Sequence, residues 1–268
     1  MIKYRLLILV LILAITLSEL KGEGGKLEDL DYNYRQFNSI IYLSSGYVLS
    51  SGSKDFFNHY KTFLKGNKTD FMFFPIINIG TKFQFLHKFR FGLETEFTYA
   101  QMKDAYIEEL PGYDKKGYRA LSQDFTVKSF PSFITAEFIP VQQQFRSYFG
   151  IGIGAVFSDI IWNELLSSSD PFDKRRAGEH YNEFGIYPNA RIYAGLELGF
   201  DKFGSENFVG SFTFEIKYTA MYRYVPIFST ISNQFDEKPE GIMDKYSILP
   251  GYLGIYAGLT FNFNRRIK

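Results

Sequence analysis

Ten charged residues stand at alternating positions inside segments that are otherwise rich in aromatic and aliphatic side chains. Around Arg90, for example, every second residue is charged, glycine or threonine, and the residues between them are mostly apolar. The set has five residues of each sign: Lys82, Arg90, Arg146, Arg191 and Lys217, with Glu94, Glu96, Glu137, Glu197 and Glu215. An unpaired ion inside a protein is costly, so a balanced set on one face predicts a mutually paired network.

Histidine is the side chain that most often serves as a general acid or base. The chain has three, His59, His87 and His180. Only His180 has close neighbours suited to catalysis, Glu179 and Glu183, and a surface histidine among carboxylates is more often solvated than catalytic. No histidine stands two residues from a serine in a strand pattern. We therefore expect no catalytic residues and no enzymatic activity.

Two further motifs are weak indicators of ligand binding. The run Gly150-Ile151-Gly152-Ile153-Gly154 is rich in glycine, but a nucleotide loop needs a strand-to-helix turn and this run continues a strand pattern. The spacing of the acidic residues fits no calcium loop: Asp170, Asp173, Asp236, Glu237, Glu240 and Asp244. We expect no cofactor and no metal. A net charge of +1 gives no reason to expect nucleic acid.

Eight segments alternate with a period of two, which is typical of strands whose faces meet different surroundings. They are residues 38–50, 71–85, 89–99, 124–140, 145–157, 184–200, 208–224 and 247–263. Three connections are short, at His87, 142–144 and 201–207, and four are long, at 51–70, 103–123, 158–183 and 225–245. The even number of strands and the alternating connections predict an all-β fold, an eight-stranded antiparallel up-and-down transmembrane β-barrel over residues 38–263.

The apolar face of each segment is expected to contact lipid. In the second segment this face contains Phe71, Phe73, Ile77 and Ile79, and in the last it begins at Leu249. The composition agrees with this assignment, since 19% of the residues are aromatic whereas 22% are charged. A helical membrane protein would be far more apolar, because in a barrel only alternate residues face lipid.

The interior is expected to be filled. Eight strands enclose just enough volume for side chains, and the inward positions include five large rings, Tyr148, Tyr187, Tyr193, Tyr252 and Tyr256. The inward Gly150, Gly152 and Gly154 are expected to make room for those rings. The alternative is a narrow, gated ion path through the charged network.

Residues 1–18 have the form of a secretory signal peptide. Lys3 and Arg5 precede an apolar run over residues 6–15, which is too short to span a bilayer as a helix. We place the cleavage site between residues 18 and 25 and expect a periplasmic tail over residues 19–37. The chain has no cysteine, so neither disulfides nor lipid attachment through a thiol are expected.

Two of the long connections carry apolar residues. Phe56, Tyr60, Phe63 and Leu64 fall at helical spacing among lysines, and Trp162 lies in the third long connection. A basic amphipathic segment of this kind could lie against lipopolysaccharide headgroups, cap the barrel or dock a partner protein.

The last predicted strand resembles the C-terminal signal by which the outer-membrane insertion machinery recognises its substrates. Tyr256, Gly258, Phe261 and Phe263 fit that pattern, although residues 264–268 follow as a short tail. With its strand alternation and loop lengths, the chain resembles the small eight-stranded outer-membrane barrels of the OmpA and OmpX type. Among these it is most similar to the aromatic-rich PorT-like barrels of the Bacteroidota.

This resemblance implies a location in the bacterial outer membrane. The implied partners are outer-membrane lipids and lipopolysaccharide, the insertion machinery during assembly, and other outer-membrane proteins. The implied role is a structural or accessory subunit of a larger complex for secretion, assembly or uptake. The alternatives are a narrow transport or small-ligand barrel, or a lipid-modifying enzyme.

Overall fold

The computed structural model describes residues 37–86, 88–110, 117–140, 145–171, 173, 175, 177–200, 209–228, 243 and 245–265. The predicted signal peptide, the tail before residue 37 and residues 266–268 lie outside this part of the chain. So do His87, the turns predicted at 142–144 and 201–207, and the acidic residues Asp236, Glu237, Glu240 and Asp244.

The elements are given in chain order. They are β1 (Phe37–Ser51), α1 (Lys54–Leu64), β2 (Met72–Phe73), β3 (Ile76–Leu86), β4 (Phe89–Leu110), β5 (Gly117–Phe138), β6 (Phe145–Ser168), β7 (His180–Gly199), β8 (Gly210–Met221), β9 (Tyr224–Val225), β10 (Tyr246–Ser247) and β11 (Gly251–Arg265).

Eight of these strands form a closed antiparallel ring. The hydrogen-bonded order is β1-β3-β4-β5-β6-β7-β8-β11, and β11 pairs with β1 to close it. The predicted eight-stranded up-and-down barrel is therefore confirmed. The first and last strands meet with Phe37 opposite Arg265, at the rim where β3 turns into β4.

The outer wall of the barrel is apolar. Large side chains point outward and are exposed on all eight strands, among them Leu43, Ile79, Phe91, Ile134, Ile151, Ile192, Phe214 and Ile255. A closed ring leaves no unpaired strand edge, and the charged side chains point inward, so the wall meets the requirements of the hydrocarbon layer. This is the architecture of a bacterial outer-membrane protein. No helix among the described residues is long and apolar enough to cross a bilayer.

Three strands continue well beyond the apolar wall. β4 and β5 have 22 residues each and β6 has 24, and they stay paired up to Leu110 opposite Gly117. The prediction of loops at 103–123 and 158–183 is therefore wrong for most of their length. Most outward residues there, such as Lys103, Asp124 and Asp159, are polar because that face meets water, so the aromatic alternation ends although the strands do not.

A bulge near Pro75 reverses the faces of β2. Met72 lies opposite Gln101, whereas Ile77 lies opposite Phe97, so the register shifts by one residue between β2 and β3. A one-residue shift moves side chains to the other face of a sheet. Phe71 and Phe73 therefore point inward, and the prediction that they contact lipid is wrong.

Leu249 is also inward, contrary to prediction. It is buried and adopts φ 49° just before β11 begins, so it belongs to a turn and not to the strand.

Helix α1 lies at the rim opposite the chain ends. Asp55 stands in its first turn, where a carboxylate is favourable to the helix dipole, and Lys65 ends it in the left-handed region. Its buried residues Phe56, Phe57, Tyr60 and Leu64 share one face.

Candidate functional site: a charged lumen beneath an aromatic cap

The ten alternating charged residues all project into the lumen. They come from six strands: Lys82 from β3, Arg90, Glu94 and Glu96 from β4, Glu137 from β5, Arg146 from β6, Arg191 and Glu197 from β7, and Glu215 and Lys217 from β8. None of them is more than 4% exposed. The alternation of each strand places these side chains on the inner face, and ring closure brings them together.

Two lysines lie at the centre of the network. Lys82 Nζ is 2.8 Å from Glu137 Oε1 and 3.5 Å from a carboxylate oxygen of both Glu94 and Glu215. Lys217 Nζ is 2.9 Å from Glu215 and 3.4 Å from Glu94. Each lysine therefore neutralises carboxylates from more than one strand.

Three arginines extend the network along the barrel. Arg191 contacts Glu96 at 2.7 Å and Glu94 at 3.4 Å. Toward the other rim, Arg90 pairs with Glu137 and lies 3.1 Å from Glu197. Arg146 then contacts Glu197 at 2.8 Å. All ten residues are thus linked through ion pairs, and an ion crossing the lumen would have to separate several of them.

Tyrosines surround the charged network and donate to its carboxylates. Tyr148 donates to Glu215 at 2.6 Å, and Tyr193 donates to Glu137 at 2.8 Å. An added Cβ at Gly150 would lie 2.1 Å from Tyr193 Cζ, so Gly150 makes room for that ring. Gly152 and Gly154 contact no ring in this way.

Tyr42 on β1 is a residue that the sequence analysis missed. Its hydroxyl donates to Glu215, and Lys82 Nζ lies 4.2 Å from its ring centroid. The alternation of β1, with Ile41 and Leu43 outward on either side of Tyr42, could have identified it.

An aromatic cap covers the network at the rim that carries α1. Its buried side chains come from α1, from the upper ends of β4, β5 and β6, and from residues 225–228 and 246–249. Phe56, Tyr60, Leu64 and Trp162 belong to it and are at most 2% exposed. These four residues cap the barrel and are not available to lipid or to a partner. Phe63 is half-buried and stacks on His59, with 5.4 Å between the ring centroids.

Polar contacts fasten the first long loop to the wall. Asp104 on β4 accepts hydrogen bonds from the Tyr60 hydroxyl at 2.9 Å and from the backbone N–H groups of Asn67 at 2.7 Å and Lys68 at 3.3 Å. One carboxylate therefore fixes both the helix and the segment that follows it.

A second carboxylate fastens the third long loop. Asp173 accepts from Arg119 Nε at 2.9 Å, and Arg119 also contacts Glu108 at 3.1 Å. Burial alone would raise the pKa of Asp173, but the hydrogen bonds from Arg119, from Ser168 and from the backbone N–H of Arg175 outweigh it and hold this pKa at about 2. The pair remains charged at neutral pH.

Among the described residues, His180 is the histidine that the sequence places beside carboxylates. His180 is exposed at the start of β7, and its Nδ1 contacts Asn163 Oδ1. Glu183 instead accepts hydrogen bonds from Tyr181 and Tyr187. Within the described residues, no group of three or more histidine or carboxylate side chains is placed to hold a metal ion.

No protein-family model matches the chain, and no curated protein matches it. Solved structures that are similar to it include three small barrels. For the Neisserial surface protein A the TM-score is 0.39 at 10% identity, covering 85% of this chain and 97% of that one. For the N-terminal barrel domain of Pseudomonas aeruginosa OprF the TM-score is 0.29 at 12% identity, covering 84% of this chain and 97% of that one. For the attachment invasion locus protein Ail of Yersinia pestis the TM-score is 0.31 at 15% identity, covering 85% of this chain and 97% of that one.

Proposed function

We propose that the chain is a non-enzymatic outer-membrane barrel that acts as a structural or accessory subunit of a larger outer-membrane complex. Its lumen is filled by ion pairs and its mouth by an aromatic cap, which favours a role for the outer surface over transport. The resemblance to PorT-like barrels suggests a complex for secretion, assembly or uptake. Outer-membrane lipids, including lipopolysaccharide, would surround the apolar wall of the barrel.

The observation that carries this proposal is a pair of strongly exposed apolar side chains on the part of the strands beyond the apolar wall. On the outer face of the extended strands, Ile107 is 71% exposed and Leu165 is 73% exposed. Between them lie Ala120, opposite Ile107, and Ser122, opposite Leu165. An apolar face that meets water is typical of a surface that contacts another protein.

Site-specific photo-cross-linking in native outer membranes tests the docking surface. A photo-reactive residue at position 107 should capture a discrete membrane or surface protein, whereas one at Asn58, which is exposed on α1, should not. Ile107→Arg with Leu165→Arg should abolish capture from a probe at Ala120, because the charges interrupt the apolar contact. Asn58→Arg is the matched control and should leave it unchanged.

Two results would contradict the proposal. One is equal labelling from positions 107 and 58, which would indicate random collision. The other is a discrete conductance of the purified protein in planar bilayers, which would support a transport function instead.

We also propose that β11 carries the signal for the insertion machinery. Phe261 and Phe263 point outward, whereas Tyr256 and Gly258 lie on the inner face, where Tyr256 is buried. The two exposed rings are therefore accessible to the machinery, while Tyr256 also packs the lumen.

Phe261→Ala with Phe263→Ala is expected to reduce assembly and leave unfolded protein in the periplasm. The measurement is heat-modifiable migration on gels of outer-membrane fractions. Leu253→Ala with Ile255→Ala, on the same face of the same strand, removes comparable apolar surface outside the signal and should assemble better. Equal assembly of the two double variants would show that β11 carries no such signal.

A further inference from the structure

Arg223, just beyond β8, is a fully buried cation that does not belong to the network of ten charged lumen residues. Its guanidinium donates to Ser129 Oγ at 2.7 Å and Ser158 Oγ at 2.6 Å. It also donates to the carbonyl oxygens of Ile248 at 3.0 Å and Leu249 at 3.2 Å. No described carboxylate forms an ion pair with it. A buried guanidinium held only by neutral oxygens lacks the charge partner that burial ordinarily demands.

Residues 246–249, which we name the strap, cover this cation. Tyr246, Ile248 and Leu249 are at most 2% exposed and pack in one cluster with Phe125 and Trp162. The strap therefore offers two things to the barrel. Its carbonyl oxygens contact Arg223, and its apolar side chains fill an aromatic basin. A molecule with an oxygen-bearing head and a hydrocarbon body would offer the same contacts.

The backbone of the strap is strained in this position. Leu249 has φ 49°, in the left-handed region that branched L-residues rarely adopt. Its N–H is held by Ser53 Oγ at 3.1 Å and its carbonyl oxygen by Arg223. These contacts, with the pairing of Tyr246 and Ser247 against Val225 and Tyr224, hold the unfavourable conformation of Leu249. Release of the strap would exchange them for relief of the backbone strain.

We propose that the space filled by the strap is a binding site for an anionic amphiphile, specifically a long-chain carboxylate such as a fatty acid. Its carboxylate replaces the two strap carbonyl oxygens on Arg223 and neutralises the buried charge through charge-assisted hydrogen bonds. Its hydrocarbon chain replaces Tyr246, Ile248 and Leu249 in the aromatic basin. This site lies inside the mouth and is independent of the docking surface at Ile107.

Trp162 makes the site directly observable, because it is the only tryptophan in the chain and lies in the basin. A fatty acid brominated at mid-chain should quench its fluorescence in the detergent-folded protein, with saturation, and the unbrominated acid should reverse the quenching. The methyl ester of the same acid has no charge for Arg223. The ester should bind at least about tenfold more weakly than the acid, since hydrogen bonds to a charged group contribute at least that factor.

Arg223→Met keeps the length of the side chain but removes the charge, and it should abolish saturable quenching by the acid. Arg223→Lys keeps the charge and should retain part of it. Equal quenching by acid and ester, or undiminished quenching in folded Arg223→Met, would overturn the site. If Arg223→Met does not reach the heat-modifiable folded form, the comparison of acid with ester in the unmutated protein decides. A negative result would leave the docking proposal intact, because that proposal does not use the lumen.

Discussion

Lys82→Met is expected to destabilise the barrel by about 3–5 kcal/mol, the range for removing one partner of a buried ion pair. Lys82 lies within 3.5 Å of three carboxylates, and it is no more than 1% exposed. Its removal leaves four cations and five carboxylates in the lumen network. The midpoint of urea unfolding in lipid vesicles measures the loss.

The double variant Lys82→Met with Glu137→Gln is the control for this result. Glu137 is the carboxylate nearest to Lys82, and removing its charge leaves four residues of each sign in the network. Arg90 would lose one of its two carboxylates but keep Glu197 at 3.1 Å. We expect the double variant to recover part of the lost stability. A double variant that is no more stable than the single one would show that charge balance does not govern the lumen.

Ile151→Arg is expected to cost about 2–4 kcal/mol, the cost of an arginine near the bilayer midplane on the lipid face. Ile151 is 63% exposed on β6, midway between the outward Phe145 and Phe157. The same urea titration in vesicles applies, with the fraction of heat-modifiable protein as a second measurement.

Ile107→Arg is its matched control. Ile107 has the same side chain and is 71% exposed, but it lies on the extended part of β4 beyond the apolar wall. A surface substitution of this kind ordinarily changes stability by no more than about 0.5 kcal/mol. If the two variants lost the same stability, the boundary between the lipid-facing wall and the extended strands would be misplaced.

Strand alternation was sufficient to predict which residues share the lumen. Lys82, Arg90 and Arg191 lie on three different strands, and Arg191 is distant from the other two in sequence, yet all three are inward. In a strand, the direction of a side chain follows from whether its position is odd or even, so the sequence carries this information locally. A one-residue shift in register makes this prediction wrong, as the bulge beside Pro75 does for Phe71 and Phe73.

The extended parts of β4, β5 and β6 could not be predicted from the hydrophobic pattern of the sequence. Ile107 and Leu165 fall in the segments that the sequence predicts to be loops, 103–123 and 158–183. Backbone pairing holds these strands together, and pairing depends on a partner strand and not on the polarity of the outer face. The residues that carry the proposed docking surface were therefore not recognisable from alternation.

Local periodicity in the sequence predicts the two faces of the barrel, the eight strands of its ring and the composition of its charged lumen. Only the three-dimensional structure shows which alternative holds for α1, which forms a cap with Trp162, and that Arg223 lies against Ile248 and Leu249. Such contacts join residues that are distant in the chain and have no common period. They are set by how loops fold back over the barrel mouth, where apolar side chains must be buried and each buried polar group must find a partner.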